Sequence, residues 1–496
     1  MQVRLNLLAA LLALMACGDT NPTGAVGDVL SLTTVGGDEQ TGTVGTRLPE
    51  PVTVLVQRKD ETTDFKPAEG VVVTFVVTDG GGSVDVGTAL TDENGLAEDH
   101  WTLGPQPGVN ELEARVATGE GQAAVHAVFT ANAEPLPPTF VDPSPIAAGQ
   151  SHSCALDSGG VAYCWGRGTS GQLGDGGNAN RSVPGRVAGT EVFVSVVAGG
   201  GHTCGLDGWG TAYCWGRNDA GQLGDGTVVH RNVPTAVTSA PAFVSITAGS
   251  DHTCGLTPSG SAYCWGQNDA GQLGDGTTTQ RSVPVQVLGG VTFTKISTGD
   301  SHSCGLDVAG GVYCWGANGF GQLGDGSSRQ RSVPTPMLGS RTFVATVGGT
   351  WHTCGLDAAG LAYCWGDNSA GQLGDGTLTN RPSPVQVVGS QRFGALVSRS
   401  LHTCGIEESS HEAYCWGRNI DGQLGDGTTF NRTVPTAVYG GRPFQALGTG
   451  TRHGCGIAET GEAFCWGHND YGQLGDGTVA RRLVPTRVLN WPPSPE

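Results

Sequence analysis

The chain has 496 residues, of which 83 are glycine and 14% are charged, and its formal net charge is −19. This length suffices for two or three domains, and the composition favours short strands joined by glycine turns over helices. The acidic balance argues against nucleic acid as a partner, because phosphate binding needs a concentrated basic patch.

The first residues have the pattern of an export signal. Arg4 precedes an apolar run, residues 5–16, that is too short to span a membrane. The run ends in Leu-Met-Ala-Cys17, which resembles the lipobox of bacterial lipoproteins. The resemblance implies that residues 1–17 end at a lipidated Cys17 and that the protein is anchored in the bacterial cell envelope, in the outer membrane, since no clear inner-membrane retention signal follows. An ordinary cleaved signal with an incidental cysteine is the alternative.

A cysteine-free segment with strand patterning follows a short polar tether at residues 18–26. Within residues 27–132, β-branched runs such as 71–77 alternate with turn residues such as 92–95, which predicts a β-sandwich. The phrases at residues 91–97, 101–104 and 108–110 resemble those of bacterial immunoglobulin-like domains of the invasin and intimin type, and the resemblance covers the whole segment. That resemblance implies a spacer, with ligand binding as the alternative.

Residues 133–145 carry five prolines and predict an extended, semi-rigid linker between two domains.

Seven copies of nearly the same phrase fill residues 146–491. Each copy has a histidine, a cysteine two residues later, Tyr-Cys-Trp-Gly and then Gly-Gln-Leu-Gly-Asp-Gly. The histidines are spaced by 50 residues five times and then by 51: His152, His202, His252, His302, His352, His402 and His453. In the second copy we expect strands at 193–198, 202–207, 212–215 and 233–237. Seven four-stranded units predict a β-propeller, closed into a ring because the first and last copies keep the consensus.

The phrase His-Thr-Cys-Gly-Leu…Ala-Tyr-Cys-Trp-Gly-x-Asn…Gly-Gln-Leu-Gly-Asp-Gly…Val-Pro resembles the repeat of the regulator-of-chromosome-condensation family of seven-bladed propellers. The eukaryotic founder of that family is a guanine-nucleotide exchange factor for a small nuclear GTPase. An exported chain cannot meet this GTPase, so exchange activity is kept only as an alternative. The resemblance instead implies a disc that binds a partner protein, and we expect a monomer.

Fourteen cysteines remain when Cys17 is set aside, and an even number in an exported chain is typical of disulfides. A hairpin that turns at residues 158–160 places Cys154 and Cys164 directly opposite each other, within disulfide reach. Zinc is the disfavoured alternative, because the usual Cys-x2-Cys spacing is missing. The expected pairs are Cys154 and Cys164, Cys204 and Cys214, Cys254 and Cys264, Cys304 and Cys314, Cys354 and Cys364, Cys404 and Cys415, and Cys455 and Cys465.

Residues that recur in every copy are interpreted as scaffold. We expect the tryptophan of each unit to pack against the next blade, the histidine to satisfy backbone groups, and one arginine per unit to pair with an aspartate or with carbonyls. No Ser-His-Asp order, paired carboxylates or cofactor loop stands apart from the repeat. The sequence therefore predicts no catalytic residue, cofactor or metal site, with a propeller enzyme acting at the channel mouth as the alternative.

The differences between copies are the places to look for function. The loop before each histidine carries Trp351, Leu401 and Arg452 in three successive units, where the other units have small or polar residues. The loop before Gly-Gln-Leu-Gly adds Phe320, Ile420 and Tyr471. Aromatic residues and arginine are enriched at binding hot spots, so these six residues predict a partner-binding patch. Scattered surface hydrophobes are the alternative.

Overall fold

The computed structural model describes residues 29–59, 64–104, 108–117, 124–134 and 145–491. Every regular element in these ranges is a β-strand, which confirms the predicted all-β class. No helix in the same ranges is long and apolar enough to cross a membrane. Cys17, the tether and most of the proline-rich linker lie outside the described residues.

Alternating apolar residues form eleven strands in the N-terminal part. They are β1 (Leu30–Gly36), β2 (Gln40–Thr43), β3 (Val52–Lys59), β4 (Phe65–Pro67), β5 (Val72–Asp79), β6 (Ser83–Val84), β7 (Thr88–Leu90), β8 (Leu96–Asp99), β9 (Trp101–Thr102), β10 (Gly108–Val116) and β11 (Val125–Glu134).

Two sheets share one apolar core in this part of the chain. Strand β3 pairs with β1, β4 and β8, and the second sheet has the order β2-β11-β10-β5-β7. The buried faces contribute Val54, Phe75, Leu112 and Phe129, each at most 2% exposed, and Trp101 at the short β6–β9 ribbon is fully buried. The relation of this unit to immunoglobulin-like domains stays a prediction.

Seven four-stranded antiparallel sheets form the blades of the propeller. In chain order they are blade 1 with β12 (Ile146–Ala148), β13 (His152–Leu156), β14 (Ala162–Gly166) and β15 (Arg181–Arg186); blade 2 with β16 (Ser195–Ala198), β17 (His202–Leu206), β18 (Ala212–Gly216) and β19 (Arg231–Ala236); blade 3 with β20 (Ser245–Ala248), β21 (His252–Leu256), β22 (Ala262–Gly266) and β23 (Arg281–Gln286); blade 4 with β24 (Phe293–Thr298), β25 (His302–Asp307), β26 (Val312–Gly316) and β27 (Arg331–Pro336); blade 5 with β28 (Ala345–Gly348), β29 (His352–Leu356), β30 (Ala362–Gly366) and β31 (Arg381–Gln386); blade 6 with β32 (Phe393–Arg399), β33 (His402–Glu407), β34 (Ala413–Gly417) and β35 (Arg432–Ala437); and blade 7 with β36 (Phe444–Thr449), β37 (His453–Ala458), β38 (Ala463–Gly467) and β39 (Arg482–Arg487).

A disulfide joins the second and third strands of every blade. The two cysteines face each other directly in the register, as Cys154 and Cys164 do in blade 1, with Cα atoms 4.1 Å apart. The extra residue of blade 6 lies in the turn between Cys404 and Cys415 and leaves their pairing intact. The predicted pattern of one disulfide per blade is confirmed in all seven copies.

The repeated tryptophans hold neighbouring blades together, but each packs against the preceding blade and not against the next one as predicted. Trp215 of blade 2 donates its indole N–H to the carbonyl of Gln172 in blade 1, at 3.1 Å. Gly174 of blade 1, at φ 68°, makes room for the ring, because a β-carbon there would lie 2.7 Å from the indole nitrogen. Each tryptophan thus packs against the preceding blade. Alternation along a strand predicts the face of the sheet on which the ring lies, but not which neighbouring blade covers it.

The ring closes without exchange of a strand between the first and last blades. Each blade is one continuous stretch of chain, and blade 1 meets blade 7 through the same tryptophan, hydroxyl and histidine hydrogen bonds as most other pairs. Trp165 donates to the carbonyl of Gln473 at 2.9 Å, and the hydroxyl of Ser153 lies 2.9 Å from Nε2 of His453. Side-chain contacts and a few loop hydrogen bonds therefore carry the closure.

One contact at this junction differs from the other six. In blades 2 to 7 a phenylalanine such as Phe193 lies on the tryptophan of its own blade, with ring centroids 5.7–6.0 Å apart. The sequence has Pro143 at that place in blade 1, and the chain's Trp491 lies there instead, 6.3 Å from Trp165. A glycine under the phenylalanine ring in the other blades becomes the fully buried Ala155. Trp491 therefore fills the aromatic position that blade 1 lacks.

We expect Trp491→Ala to lower the free energy of unfolding by about 3–5 kcal/mol, because it empties a buried aromatic position at the ring closure. Trp491→Phe, which keeps an aromatic ring there, should lose less. Denaturant unfolding with the disulfides intact measures both variants. An unchanged midpoint for Trp491→Ala would show that Trp491 does not stabilise the closure.

Candidate functional site

The loops that differ between copies lie on one face of the disc. In an antiparallel blade, the loops between strands one and two and between strands three and four lie at the same end, and we call this end the upper face. The first strands of neighbouring blades contact each other, so they surround the central channel. Backbone hydrogen bonds join the first loops around the channel mouth, as from Thr350 N to Ser400 O at 2.8 Å and from Thr451 N to Gly149 O at 3.2 Å.

A repeated set of buried hydrogen bonds joins each blade to the next. His202 of blade 2 lies with Nε2 3.0 Å from the hydroxyl of Thr253 in blade 3. That hydroxyl donates to the carbonyl of Gln222 in blade 2 at 2.9 Å, and the indole of Trp265 donates to the same carbonyl at 3.0 Å. Because the hydroxyl gives its proton to the carbonyl, it accepts from the histidine, which assigns the neutral Nε2–H tautomer.

The same histidine contact recurs at five further junctions: His152 with Thr203, His252 with Ser303, His302 with Thr353, His352 with Thr403, and His453 with Ser153. The expectation that these histidines satisfy backbone groups is therefore wrong for Nε2, whose partner is a hydroxyl of the next blade. The sequence contains this signal, since a threonine or serine follows the histidine in six of the seven copies.

The junction between blades 6 and 7 breaks this pattern. Gly454 stands where the other blades have threonine or serine, and neither ring nitrogen of His402 has a hydrogen-bond partner among the described residues. The ring of Trp466 occupies the place of the missing side chain, because a β-carbon on Gly454 would lie 2.8 Å from its indole nitrogen. At this junction, packing of the Trp466 ring replaces the hydrogen bond between histidine and hydroxyl that the other pairs of blades have, while the indole still donates to the carbonyl of Gln423.

Burial keeps the channel histidines neutral. Desolvation lowers the pKa of His152, His202, His252, His352 and His453 to about 3, and that of His302 and His402 to about 4. The nearby charge of Arg399 lowers the pKa of several of them further. At neutral pH these side chains are therefore structural hydrogen-bonding groups without charge.

Arg399 is a break in the repeat that the sequence analysis missed. Three residues before the histidine every other copy has glycine, and only blade 6 has an arginine there. Its side chain crosses the channel and donates to the carbonyl of Ala198 in blade 2 at 2.7 Å and to that of Gly249 in blade 3 at 3.4 Å. Arg399 is 8% exposed, and it fills the centre of the disc.

The free energy of unfolding should fall as pH is lowered from about 6.5 towards 4. In that range the unfolded histidines bind protons while the folded ones, with a pKa of about 3 to 4, do not, so protonation favours the unfolded chain. Each buried histidine contributes up to about 1.4 kcal/mol per pH unit. Denaturant unfolding at pH 7 and pH 5, with the disulfides intact, measures this loss.

The matched variants for this prediction are His202→Gln and His230→Gln. His202 is buried between blades 2 and 3, whereas the side chain of His230 is 43% exposed in a loop of blade 2. His202→Gln should reduce the dependence of stability on pH more than His230→Gln does. Equal stability of the parent at pH 7 and pH 5 would contradict the prediction.

Two of the predicted patch residues form an exposed aromatic pair. Phe320 from blade 4 and Trp351 from blade 5 stack with ring centroids 5.1 Å apart and an interplanar angle of 26°. They are 39% and 41% exposed, on neighbouring loops of the upper face. Blades 4 and 5 thus form together an aromatic surface that neither blade presents alone.

The other four predicted residues lie farther round the same face. Ile420 is 50% exposed, and Leu401 and Tyr471 are half-buried. Arg452 lies beside the Ile420 loop, with Nε 3.8 Å from a carboxylate oxygen of Asp421. All six residues therefore belong to the upper-face loops of blades 4 to 7.

Arginines that the sequence analysis did not include in the patch accompany these residues. Arg481 donates to the carbonyl of Ile420 at 3.3 Å, and the guanidinium of Arg167 lies 5.3 Å from the ring centroid of Tyr471. The repeated arginine of each blade behaves differently, because it pairs with the aspartate of Gly-Asp-Gly, as Arg231 does with Asp225 at 2.7 Å. That expected pairing is confirmed in all seven blades.

A cleft between blades 6 and 7 lies on the face of the disc opposite the upper face. It is lined by Glu407, Glu408, Glu459 and His411, and a hydrogen bond joins His411 to Glu459. Among the residues that the structure describes, no group of three histidine, cysteine, aspartate or glutamate side chains is arranged to hold a metal ion. The upper-face loops of blades 4 to 7, with the aromatic pair and the arginines near Ile420 and Tyr471, are the stronger candidate site.

Comparison with known families agrees with this architecture. Residues 108–442 match the RCC1-like domain, and residues 444–473 and 460–494 each match the regulator of chromosome condensation (RCC1) repeat. The chain belongs to the RCC1-like domain family. The search of curated proteins gives no match.

Solved structures with the same fold include Prp20p from Saccharomyces cerevisiae, described together with its binding to Gsp1p and histones. It is 23% identical over 68% of this chain and 87% of its own, with a TM-score of 0.60. Human WBSCR16 is 20% identical over 69% and 94%, with a TM-score of 0.59. Yeast RCC1 (Prp20) bound to Kap60 is 19% identical over 75% and 90%, with a TM-score of 0.60. At these identities the likeness shows the fold of this RCC1-like disc alone.

Proposed function

We propose that this protein is a binding module of the bacterial cell envelope. In this proposal the upper face of the propeller binds a partner protein, the N-terminal domain acts as a spacer, and Cys17 carries the lipid anchor. The protein works without catalysis or a cofactor.

The exposed stack of Phe320 and Trp351 carries this proposal. Aromatic side chains supply a large contact area at binding hot spots, and two rings that already pack on each other lose little freedom when a partner covers them. Arg452 and Ile420 extend the surface round the same face.

The interior of the disc supports binding on the upper face rather than chemistry in the channel. All seven repeated histidines are buried, six of them contact a hydroxyl of the next blade, and Arg399 crosses the centre. Yeast RCC1 (Prp20) is described with its binding to Gsp1p and histones and in a complex with Kap60, so a protein with this fold does have protein partners. Export of this chain would separate it from nuclear partners.

The double variant Phe320→Ala/Trp351→Ala should lose most of the partner captured by the wild-type chain from envelope extract, because it removes the central contact surface. The matched control is Trp209→Ala. Trp209 is 45% exposed, a fraction similar to that of Trp351, but it lies in a turn on the opposite face. Quantitative mass spectrometry of the captured proteins measures the loss. Equal recovery with the double variant and the control would refute the proposed site.

The lipid anchor has its own test. Cys17→Ser should release the protein from the membrane fraction and abolish incorporation of labelled fatty acid, because the thiol is the proposed site of lipidation. Wild-type protein that takes up no label would contradict the anchor and leave the binding proposal standing.

A further inference from the structure

Charge is distributed unevenly over the upper face. In the loops of blades 6, 7 and 1, four arginines stand against two aspartates, and we call this set the basic sector: Arg167, Arg418, Arg452 and Arg481, with Asp421 and Asp470. In the loops of blades 2, 3 and 4, four aspartates stand against two arginines, and we call this set the acidic sector: Asp219, Asp251, Asp269 and Asp300, with Arg217 and Arg329. The repeated Gly-Asp-Gly aspartates are left out of both sets, because each pairs with the arginine of its own blade.

The arginines of the basic sector are available to a ligand. The side chain of Arg452 is 50% exposed, and its ion pair with Asp421 is long, at 3.8 Å. Arg418 forms no ion pair among the described residues. Arg481 is exposed and donates only to a carbonyl. Arg217 in the acidic sector is different, because it binds Asp219 at 2.5 Å and Asp251 at 3.3 Å. A positive surface on a chain with a net charge of −19 calls for an explanation.

We propose that the partner presents an acidic segment to this surface, with carboxylate side chains alternating with apolar ones. This inference rests on the proposed function and names the chemistry of the partner. The guanidinium groups of Arg452 and Arg481 pair with the carboxylates, since arginine matches their planar geometry. Ile420 of the basic sector and the Phe320–Trp351 pair of blades 4 and 5 take the apolar side chains, because all three are exposed on the same face.

A segment fits this surface better than a broad anionic surface does. A membrane with negative headgroups would also meet the acidic sector of the same face, where the aspartates repel it. An extended chain can run from the Phe320–Trp351 pair over blades 5 to 7 and leave Asp219, Asp251 and Asp269 of blades 2 and 3 uncovered. The charge pattern therefore favours a protein segment over a lipid surface.

The test measures binding of a fluorescein-labelled peptide that alternates Asp with Leu to the full chain, by fluorescence anisotropy at low and high salt. A matched peptide that alternates Lys with Leu controls for the apolar contribution. We expect the wild-type chain to bind the acidic peptide with an affinity that falls as salt rises. The variant R452Q/R481Q should weaken this binding about tenfold or more, because it removes both guanidinium groups that pair with the carboxylates of the peptide.

The control variant R186Q/R487Q makes the same change in net charge at the lower ends of the fourth strands. It should bind the acidic peptide as the wild type does. Equal binding of the two peptides, an equal loss in both variants, or tighter binding to phosphatidylglycerol vesicles than to the peptide would each overturn the inference. If partner capture still depends on Phe320 and Trp351 in that case, the proposed function survives and only the acidic chemistry of the partner is lost.

Discussion

The carbonyl oxygen of one glutamine per blade organises the whole disc. It accepts a hydrogen bond from the indole of the next blade and, at six of the seven junctions, another from a hydroxyl of that blade, as Gln222 does from Trp265 and Thr253. A buried polar group without a partner is costly, so each blade needs its neighbour to be complete. An interface of this head-to-tail kind either closes into a ring or continues without end. With Trp165 and Ser153 bonded to the same carbonyl of Gln473, seven blades close it.

Departures from the repeat are concentrated in blades 6, 7 and 1. Blade 6 has Arg399 in the channel and an extra residue in its disulfide hairpin, blade 7 has Gly454, and blade 1 relies on Trp491. The same three blades carry the basic sector of the upper face. Residues that serve every interface must repeat, because each makes the same contacts seven times. Residues free of that constraint can be fitted to a partner.

Sequence alone predicted the features that depend on local geometry. The hairpin places its two cysteines opposite each other through the register of adjacent strands, so their spacing was enough. The direction in which Trp215 packs was predicted wrongly, because alternation along a strand gives the face of the sheet and not the neighbour that covers it. The hydroxyl partner of His202 was missed for a similar reason, since Thr253 is 51 residues away and joins it only when blades stack.

The candidate site was only partly predictable for a related reason. Trp351 and Phe320 were identified because they break the repeat, but their stacking arises from two blades and no single copy shows it. Arg399 breaks the repeat just as clearly, at the place where six copies have glycine. It lies three residues before the histidine, outside the two positions in which differences between copies were predicted to matter.

The structure separates the part of the protein that must stay fixed from the part that can change. The hydrogen bonds between blades lie below the loop surface, in strands whose histidines are buried and neutral. The first loops of neighbouring blades are joined by backbone bonds, such as that between Thr350 and Ser400, which do not depend on side-chain identity. Substituting an outward residue such as Trp351 or Arg452 therefore changes the upper face without disturbing the ring. A channel filled by Arg399 leaves that face as the surface on which specificity can develop.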